Sequence, residues 1–156
     1  MTRSNRQLTQ LAVDQLRTAL TYGPSNLLPR KFGNTEVKVI ECTCPCNRAP
    51  YIEFSLFGKP IMEVYTSPMN NRLIIGTIVK TGDFYDNKGR PSRTTRERLN
   101  GLLDALGDAG FLPKGVRVFL RDDGGCYVGK DDACRRLDSG STAVAFLTHP
   151  SDIIFT

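Results

Sequence analysis

The sequence of 156 residues contains no tryptophan and only one histidine, His149. A serine or cysteine nucleophile paired with histidine would therefore have to use His149, and no neighbouring residue marks it for that role. Glycine-rich loops of the kinds that bind phosphate groups or dinucleotides are also missing. These absences lead us to predict a protein that is not an enzyme and that binds no cofactor.

Long apolar runs are missing as well, since no stretch approaches the roughly 20 residues that a membrane helix requires. The first residues are basic and then amphipathic, which is unlike the apolar core of a signal peptide. Five cysteines, an odd number, favour reduced thiols over a disulfide framework. We therefore predict a cytoplasmic protein that does not bind membranes and is a monomer or a small homo-oligomer.

Basic residues exceed acidic residues by 21 to 16, which gives a net charge of +5. The excess lies in the first part of the chain, because residues 99–156 carry six basic and eight acidic side chains. A basic front favours a polyanionic partner, either nucleic acid or an acidic surface of another protein. A solvated surface with uneven charge is the alternative explanation.

Two amphipathic segments predict helices. The first covers about residues 5–21 and begins with a capping box formed by Ser4 and Gln7. The second covers about residues 95–106, where leucines recur every three or four positions. A second capping box, with Thr94 as the N-cap and Glu97 three positions later, predicts where this helix begins.

Alternating apolar residues predict a meander of strands over about residues 34–80, with a turn at Gly58-Lys59-Pro60. A hairpin and a last strand follow within about residues 116–147, and residues 131–137 are predicted as a short helical turn. The expected fold class is α+β, with an antiparallel sheet of five to seven strands packed by two helices. Residues 1–156 are predicted to form a single domain.

The segment before the second helix is polar, and its basic residues continue into the first turns of the helix. A helix N-terminus presents unpaired N–H groups and a partial positive charge, so nearby arginines add to a site for anions. The predicted binding residues are Lys88, Arg90, Arg93, Arg96 and Arg98. An ordinary amphipathic helix, whose arginine stems cover the edge of the core, is the alternative explanation.

A combination of short features extends over about residues 31–103. The pair Asn34-Thr35 precedes apolar strands at 61–66 and 73–80, Gly82 follows, and Thr94-Thr95-Arg96-Glu97-Arg98-Leu99-Asn100 opens a helix. Together these features resemble a loose group of small proteins of tailed bacteriophages. The resemblance implies a phage origin, and it implies no particular activity.

Three closely spaced cysteines, Cys42, Cys44 and Cys46, are candidate zinc ligands, with Cys126 or Cys134 as the fourth. Their spacing differs from the usual C-x₂-C arrangement, in which a tight turn directs both thiolates to one metal. We expect free thiols and no bound metal, and a fold that needs none.

The tripeptide Glu36-Val37-Lys38 on a predicted strand matches half of a metal-dependent nuclease site. Such a site needs a second carboxylate on a neighbouring strand to hold the metal. Asp14 lies on a helix, and no strand with an aspartate precedes Glu36. A nuclease is therefore the most remote of the functions considered.

The leading hypothesis is a phage-encoded accessory protein that acts in the host cytoplasm by binding. Its partner is either nucleic acid or a host defence component, which it would inhibit. A small virion or assembly protein, whose function is the contact surface itself, is the alternative.

Overall fold

The computed structural model describes residues 4–23, 29–40, 51–66, 74–80, 92–130, 133–137, 143–147 and 154–155. These ranges contain two helices, α1 (Asn5–Tyr22) and α2 (Arg93–Asp108), and ten strands, so the α+β class is confirmed. Neither described helix is long and apolar enough to cross a membrane. The strands are β1 (Arg30–Phe32), β2 (Thr35–Ile40), β3 (Tyr51–Leu56), β4 (Lys59–Thr66), β5 (Ile74–Lys80), β6 (Arg117–Leu120), β7 (Cys126–Lys130), β8 (Ala133–Leu137), β9 (Ala143–Leu147) and β10 (Ile154–Phe155).

The strands form two sheets. The large sheet has seven strands in the order β1-β2-β3-β4-β5-β9-β10, and the second sheet has three in the order β6-β7-β8. Every pair of neighbouring strands is antiparallel, as predicted. The predicted helical turn at residues 131–137 is wrong, because Ala133–Leu137 is a strand. Pairing with β7 overrides the local preference and buries Leu137 opposite Cys126.

The starts of the two helices differ in how well local sequence predicts them. Ser4 and Gln7 form the predicted capping box, with both the Gln7 N–H and the Ser4 N–H bonded to the partner's side chain. The predicted cap of α2 is wrong, because the Ser92 side chain accepts the Thr95 N–H at 3.2 Å and the helix begins at Arg93. Serine is the stronger N-cap, so the helix starts earlier than a cap at Thr94 would allow.

Both helices bury an apolar stripe against the large sheet. The leucine stripe of α2 is completely buried, as predicted, and so are most of the apolar residues on one side of α1. The sheet face beneath them consists of buried side chains of β2 to β5. One cluster of buried apolar residues includes members of both helices and both sheets, among them Leu16, Leu102, Phe54, Val79, Val118 and Val128.

The two helices run in the same direction. Asn5, in the first turn of α1, donates a hydrogen bond from its side chain to Glu97, near the start of α2. One turn further along each helix, Gly101 approaches Thr9 so closely that a β-carbon at position 101 would collide with the Thr9 methyl group. The N-termini of α1 and α2 therefore lie at the same end of the protein.

Asn100 joins α2 to the edge of the second sheet. Its side-chain amide donates to the Val118 carbonyl at 3.1 Å and accepts the Val118 N–H at 2.7 Å. The chain after α2 folds back past Gly107, and Arg117 then lies 3.7 Å from Asp104. Strand β6 thus runs antiparallel to α2, and its last residue, Leu120, lies towards the N-terminal half of the helix.

The β3–β4 hairpin turns at Phe57 and Gly58, one residue earlier than predicted. Both residues have positive φ values, 48° and 80°, as a two-residue type I′ turn requires. Lys59 and Pro60 already belong to β4, where Pro60 lies beside a register shift in the pairing with β3. The Phe57 N–H donates to the Asn34 carbonyl at 2.8 Å, which fixes this turn beside the β1–β2 turn.

Candidate nucleic-acid interface

The structure separates the predicted basic residues. Lys88 and Arg90 lie outside the described residues, so their placement stays a prediction. Arg93 is exposed, and its Nε donates to the Glu97 carboxylate at 2.9 Å. Arg96 is half-buried, and within the described part of the chain its buried Nε has no hydrogen-bond partner.

Arg98 departs from the prediction, because its side chain has no exposed surface. Its guanidinium donates to the Thr35 hydroxyl at 3.0 Å, to the Asn34 side-chain oxygen at 3.3 Å and to the Asn5 carbonyl at 2.6 Å. A fourth bond reaches the Thr9 hydroxyl. Arg98 therefore joins α2 to α1 and to the β1–β2 turn, and it is not part of an exposed basic surface.

Arg98 contributes to the electrostatic potential at the helix N-termini although its side chain is buried. Burial lowers the pKa of Arg98, and the nearby Glu97 carboxylate opposes that effect. The four acceptors that its guanidinium contacts are uncharged oxygens. A buried cation thus lies close to the N-termini of both helices and adds to the positive potential there.

We call the N-terminal ends of α1 and α2, with Arg6, Arg93 and Arg96, the helix-start surface. Neither first turn contains an acidic residue. The dipoles of two parallel helices reinforce each other at this end, and the arginines add full charges. The Arg93–Glu97 pair is exposed and spans one helical turn, so it stabilises the helix by only about 0.3–0.5 kcal/mol and is easily exchanged for another anion.

The second sheet has an open face that contains aromatic and basic side chains. Phe119 of β6 lies opposite Tyr127 of β7, and Tyr127 lies opposite Arg136 of β8. The two rings are stacked with their centroids 6.1 Å apart and their planes 23° from parallel. The Arg121 guanidinium lies over both rings, 4.9 Å from the Tyr127 centroid and 5.5 Å from that of Phe119.

Asp123 holds the ring of Tyr127 in place on this face. One carboxylate oxygen accepts the Tyr127 hydroxyl, and the other accepts the Gly125 N–H at 2.7 Å, closing the β6–β7 turn. The hydrogen bond from Tyr127, then that from Gly125, lowers the pKa of Asp123, while the bond to Asp123 raises the pKa of Tyr127. At neutral pH the carboxylate is therefore charged and the phenol keeps its proton.

The sequence interpretation did not identify the open face. A signal for it exists, because Arg117, Phe119 and Arg121 alternate with apolar residues at the period of two that is typical of a strand. On the opposite face of the sheet, Val118 and Val128 are buried. The net charge of residues 99–156 did not indicate this face, because it also counts acidic residues of α2, Asp104 and Asp108, and of the β6–β7 turn, Asp122 and Asp123.

The candidate zinc ligands Cys42, Cys44 and Cys46 lie outside the described residues. Cys126 is buried beneath the second sheet, whereas Cys134 lies on its open face opposite Gly129. These two thiols therefore point in opposite directions. Within the ranges that the structure describes, no three histidine, cysteine, aspartate or glutamate residues are grouped in a way that would hold a metal ion.

The polar face of the large sheet contains the second carboxylate that a metal-dependent nuclease requires and that was not identified from the sequence. A neighbouring strand does supply a carboxylate, because Glu53 of β3 lies opposite Lys38 of β2, and Glu63 of β4 lies opposite Glu53. Lys38 lies 3.6 Å from Glu53, and Lys80 donates to Glu63 at 2.6 Å. Lysines therefore neutralise both carboxylates.

We expect no hydrolysis of nucleic acid at this face. Purified protein incubated with supercoiled plasmid and magnesium or manganese should leave the plasmid intact, because the carboxylates of β3 and β4 are paired with lysines. Electrophoresis of the plasmid checks this. Cleavage by the parent that disappears in Lys38→Ala would instead establish a nuclease.

No protein-family model, curated protein or solved structure matches the chain. The resemblance to tailed-phage proteins stays a prediction.

Proposed function

We propose that this chain is a non-enzymatic protein that binds nucleic acid through the helix-start surface, as a phage accessory protein in the host cytoplasm. The observation that carries the proposal is the parallel arrangement of α1 and α2, which brings two helix N-termini and their arginines to one end. Phosphate groups are the anions that such an end binds best, because free N–H groups, dipoles and guanidinium groups all favour them.

Arg96 supplies the most specific support. Its Nε is buried and has no acceptor among the residues that the structure describes, which is costly unless a ligand provides one. A phosphate oxygen at the start of α2 would satisfy this donor and would accept from the exposed Arg93 in exchange for Glu97. Lys88 and Arg90, in the segment that precedes α2, would extend the basic surface along a polyanion.

The β3–β4 turn contributes to the same end of the protein. Asn34 bonds through its side chain to Arg98 and through its carbonyl to Phe57. Phe57 is 67% exposed, and the neighbouring Lys59 is exposed as well. A basic end that also presents an exposed aromatic ring suits nucleic acid, whose bases offer apolar faces beside the phosphates.

Replacing Arg93 and Arg96 together by alanine should weaken binding to nucleic acid about ten- to a hundred-fold, because each arginine contacts a phosphate. The slope of log affinity against log salt concentration should fall by about 2, or one unit for each lost contact. Fluorescence anisotropy with labelled oligonucleotides at several salt concentrations measures both quantities.

A matched control removes the same charge from the other end of the helices. Arg17 and Lys114 are exposed, and neither belongs to the helix-start surface. The Arg17→Ala/Lys114→Ala variant should bind almost as tightly as the parent. Equal losses in both double variants would show that only net charge matters, and unchanged binding in the Arg93/Arg96 variant would place the contact elsewhere.

A further inference from the structure

We infer that the open face of the second sheet is a base-stacking site for single-stranded nucleic acid. The inference rests on the proposed function, which supplies the class of ligand. It adds a second binding surface and a preference for single strands over double strands. Its basis is the stacked pair of Phe119 and Tyr127, with the Arg121 guanidinium over both rings.

The ring pair has the geometry of a stacking platform. Both rings are half-buried and lie nearly parallel on neighbouring strands, so they are held in a fixed orientation and remain partly accessible. Bases stack on aromatic rings and equally on the plane of an arginine guanidinium. A base approaching this face would therefore stack on Arg121 or take its place over the rings.

Charged groups beside the rings complement a nucleic-acid backbone. Arg117 and Arg136 are exposed on the same face, on the two outer strands of the sheet. Asp123 lies next to the rings, and its pKa is lowered first by the hydrogen bonds from Tyr127 and Gly125 and then by the charges of Arg136 and Arg121. Phosphates would follow the arginines of the outer strands, away from the β6–β7 turn that contains Asp123.

The direction of β6 connects this face with the helix-start surface. Because β6 runs back along α2, the β6–β7 turn with Arg121 lies towards the end of α2 that contains Arg93 and Arg96. One strand of nucleic acid that stacks on the rings would thus continue towards the arginines of the helix. A duplex hides the faces of its bases, so only a single strand can use both surfaces.

The test measures binding of labelled oligodeoxythymidylate, oligouridylate and a duplex of equal length. Phe119→Leu and Tyr127→Leu should each weaken single-strand binding about ten-fold, because each removes one stacking surface. Their salt dependence should stay unchanged, since no phosphate contact is lost. The control Tyr22→Leu removes an exposed tyrosine at the far end of α1 and should bind like the parent.

A second variant detects stacking directly. Phe119→Trp creates the only tryptophan in the chain, so its fluorescence reports on this face alone. Single strands should quench it strongly, whereas the duplex and inorganic polyphosphate, which offer no accessible bases, should not. Comparison of the two single strands shows whether RNA or DNA is preferred.

The possible results separate this inference from the proposed function. If Phe119→Leu and Tyr127→Leu bind like the parent and the tryptophan is not quenched, the stacking site is refuted. Loss of binding in the Arg93/Arg96 variant would then leave the proposed function standing. A parent that binds none of the oligonucleotides overturns both proposals, and tighter binding of the duplex than of either single strand overturns the stacking site alone.

Discussion

Replacing Arg98 by alanine should lower the free energy of unfolding by about 3–5 kcal/mol. The change removes the Arg98 donor from four buried or partly buried acceptors, on Thr35, Asn34, Asn5 and Thr9. It also opens a cavity between α1, α2 and the β1–β2 turn, which the surrounding helices fill only in part. Urea denaturation measures the loss of stability as a lower midpoint, provided that the dependence of the unfolding free energy on urea concentration is unchanged.

Two further variants test whether the hydrogen bonds of Arg98 are the cause of the lost stability. Arg98→Lys keeps the charge but lacks the planar group of donors that reaches several acceptors at once, so it should recover only part of the stability. Arg96→Ala removes a half-buried arginine two positions away and should change the midpoint little. A result in which Arg98→Ala weakens binding without moving the midpoint would restore Arg98 to the exposed surface that its sequence context predicts.

Replacing Gly129 by alanine should lower the free energy of unfolding by about 2–4 kcal/mol and disrupt the pairing of β7 with β8. Gly129 has a φ of 143°, a backbone conformation that residues with a side chain rarely adopt. A β-carbon there would lie 2.6 Å from the Cα of Cys134 and would collide with the Ala133 carbonyl oxygen. Both contacts are with backbone atoms of β8, so β7 and β8 would have to move apart.

Gly124→Ala is the matched control for this prediction. Gly124 also has a positive φ, 81°, but apart from its chain neighbours no described residue has an atom within 4 Å of the position of an added β-carbon. The backbone strain alone should cost about 1–2 kcal/mol. Thermal unfolding and amide exchange in β7 and β8 measure the stability of both variants. Equal losses of stability would mean that the close approach of Gly129 to β8 is unimportant.

Sequence patterns correctly predicted the parts of the fold that depend on contacts between residues close together in the chain. The Ser4–Gln7 capping box and the leucine stripe of α2 depend on neighbours three or four positions away, and both are present. The meander alternates at the period of strands, and its pairing is antiparallel. Residues 133–137 were misassigned because their strand depends on pairing with β7, which no local pattern contains.

Arg98 shows why the candidate site was harder to predict. It lies next to Leu99 and four residues before Leu102, on the buried stripe of the helix, but a charged residue normally lies at the surface. Its burial depends on oxygens from α1 and the β1–β2 turn, far away in the sequence. The Phe119–Tyr127 platform was missed for a similar reason, since it exists only through the register of β6 with β7.

The hydrogen bond between Arg98 and the Asn5 carbonyl joins residues 93 positions apart, which has a consequence for synthesis on the ribosome. At about 5–20 residues per second, some 5–20 seconds pass between the addition of Asn5 and that of Arg98. During this interval the groups of α1 that contact α2 have no partner, and only strands β1 to β5 are available to cover the apolar side of the first helix. Chaperones and proteases of the cell therefore meet α1 before α2 exists.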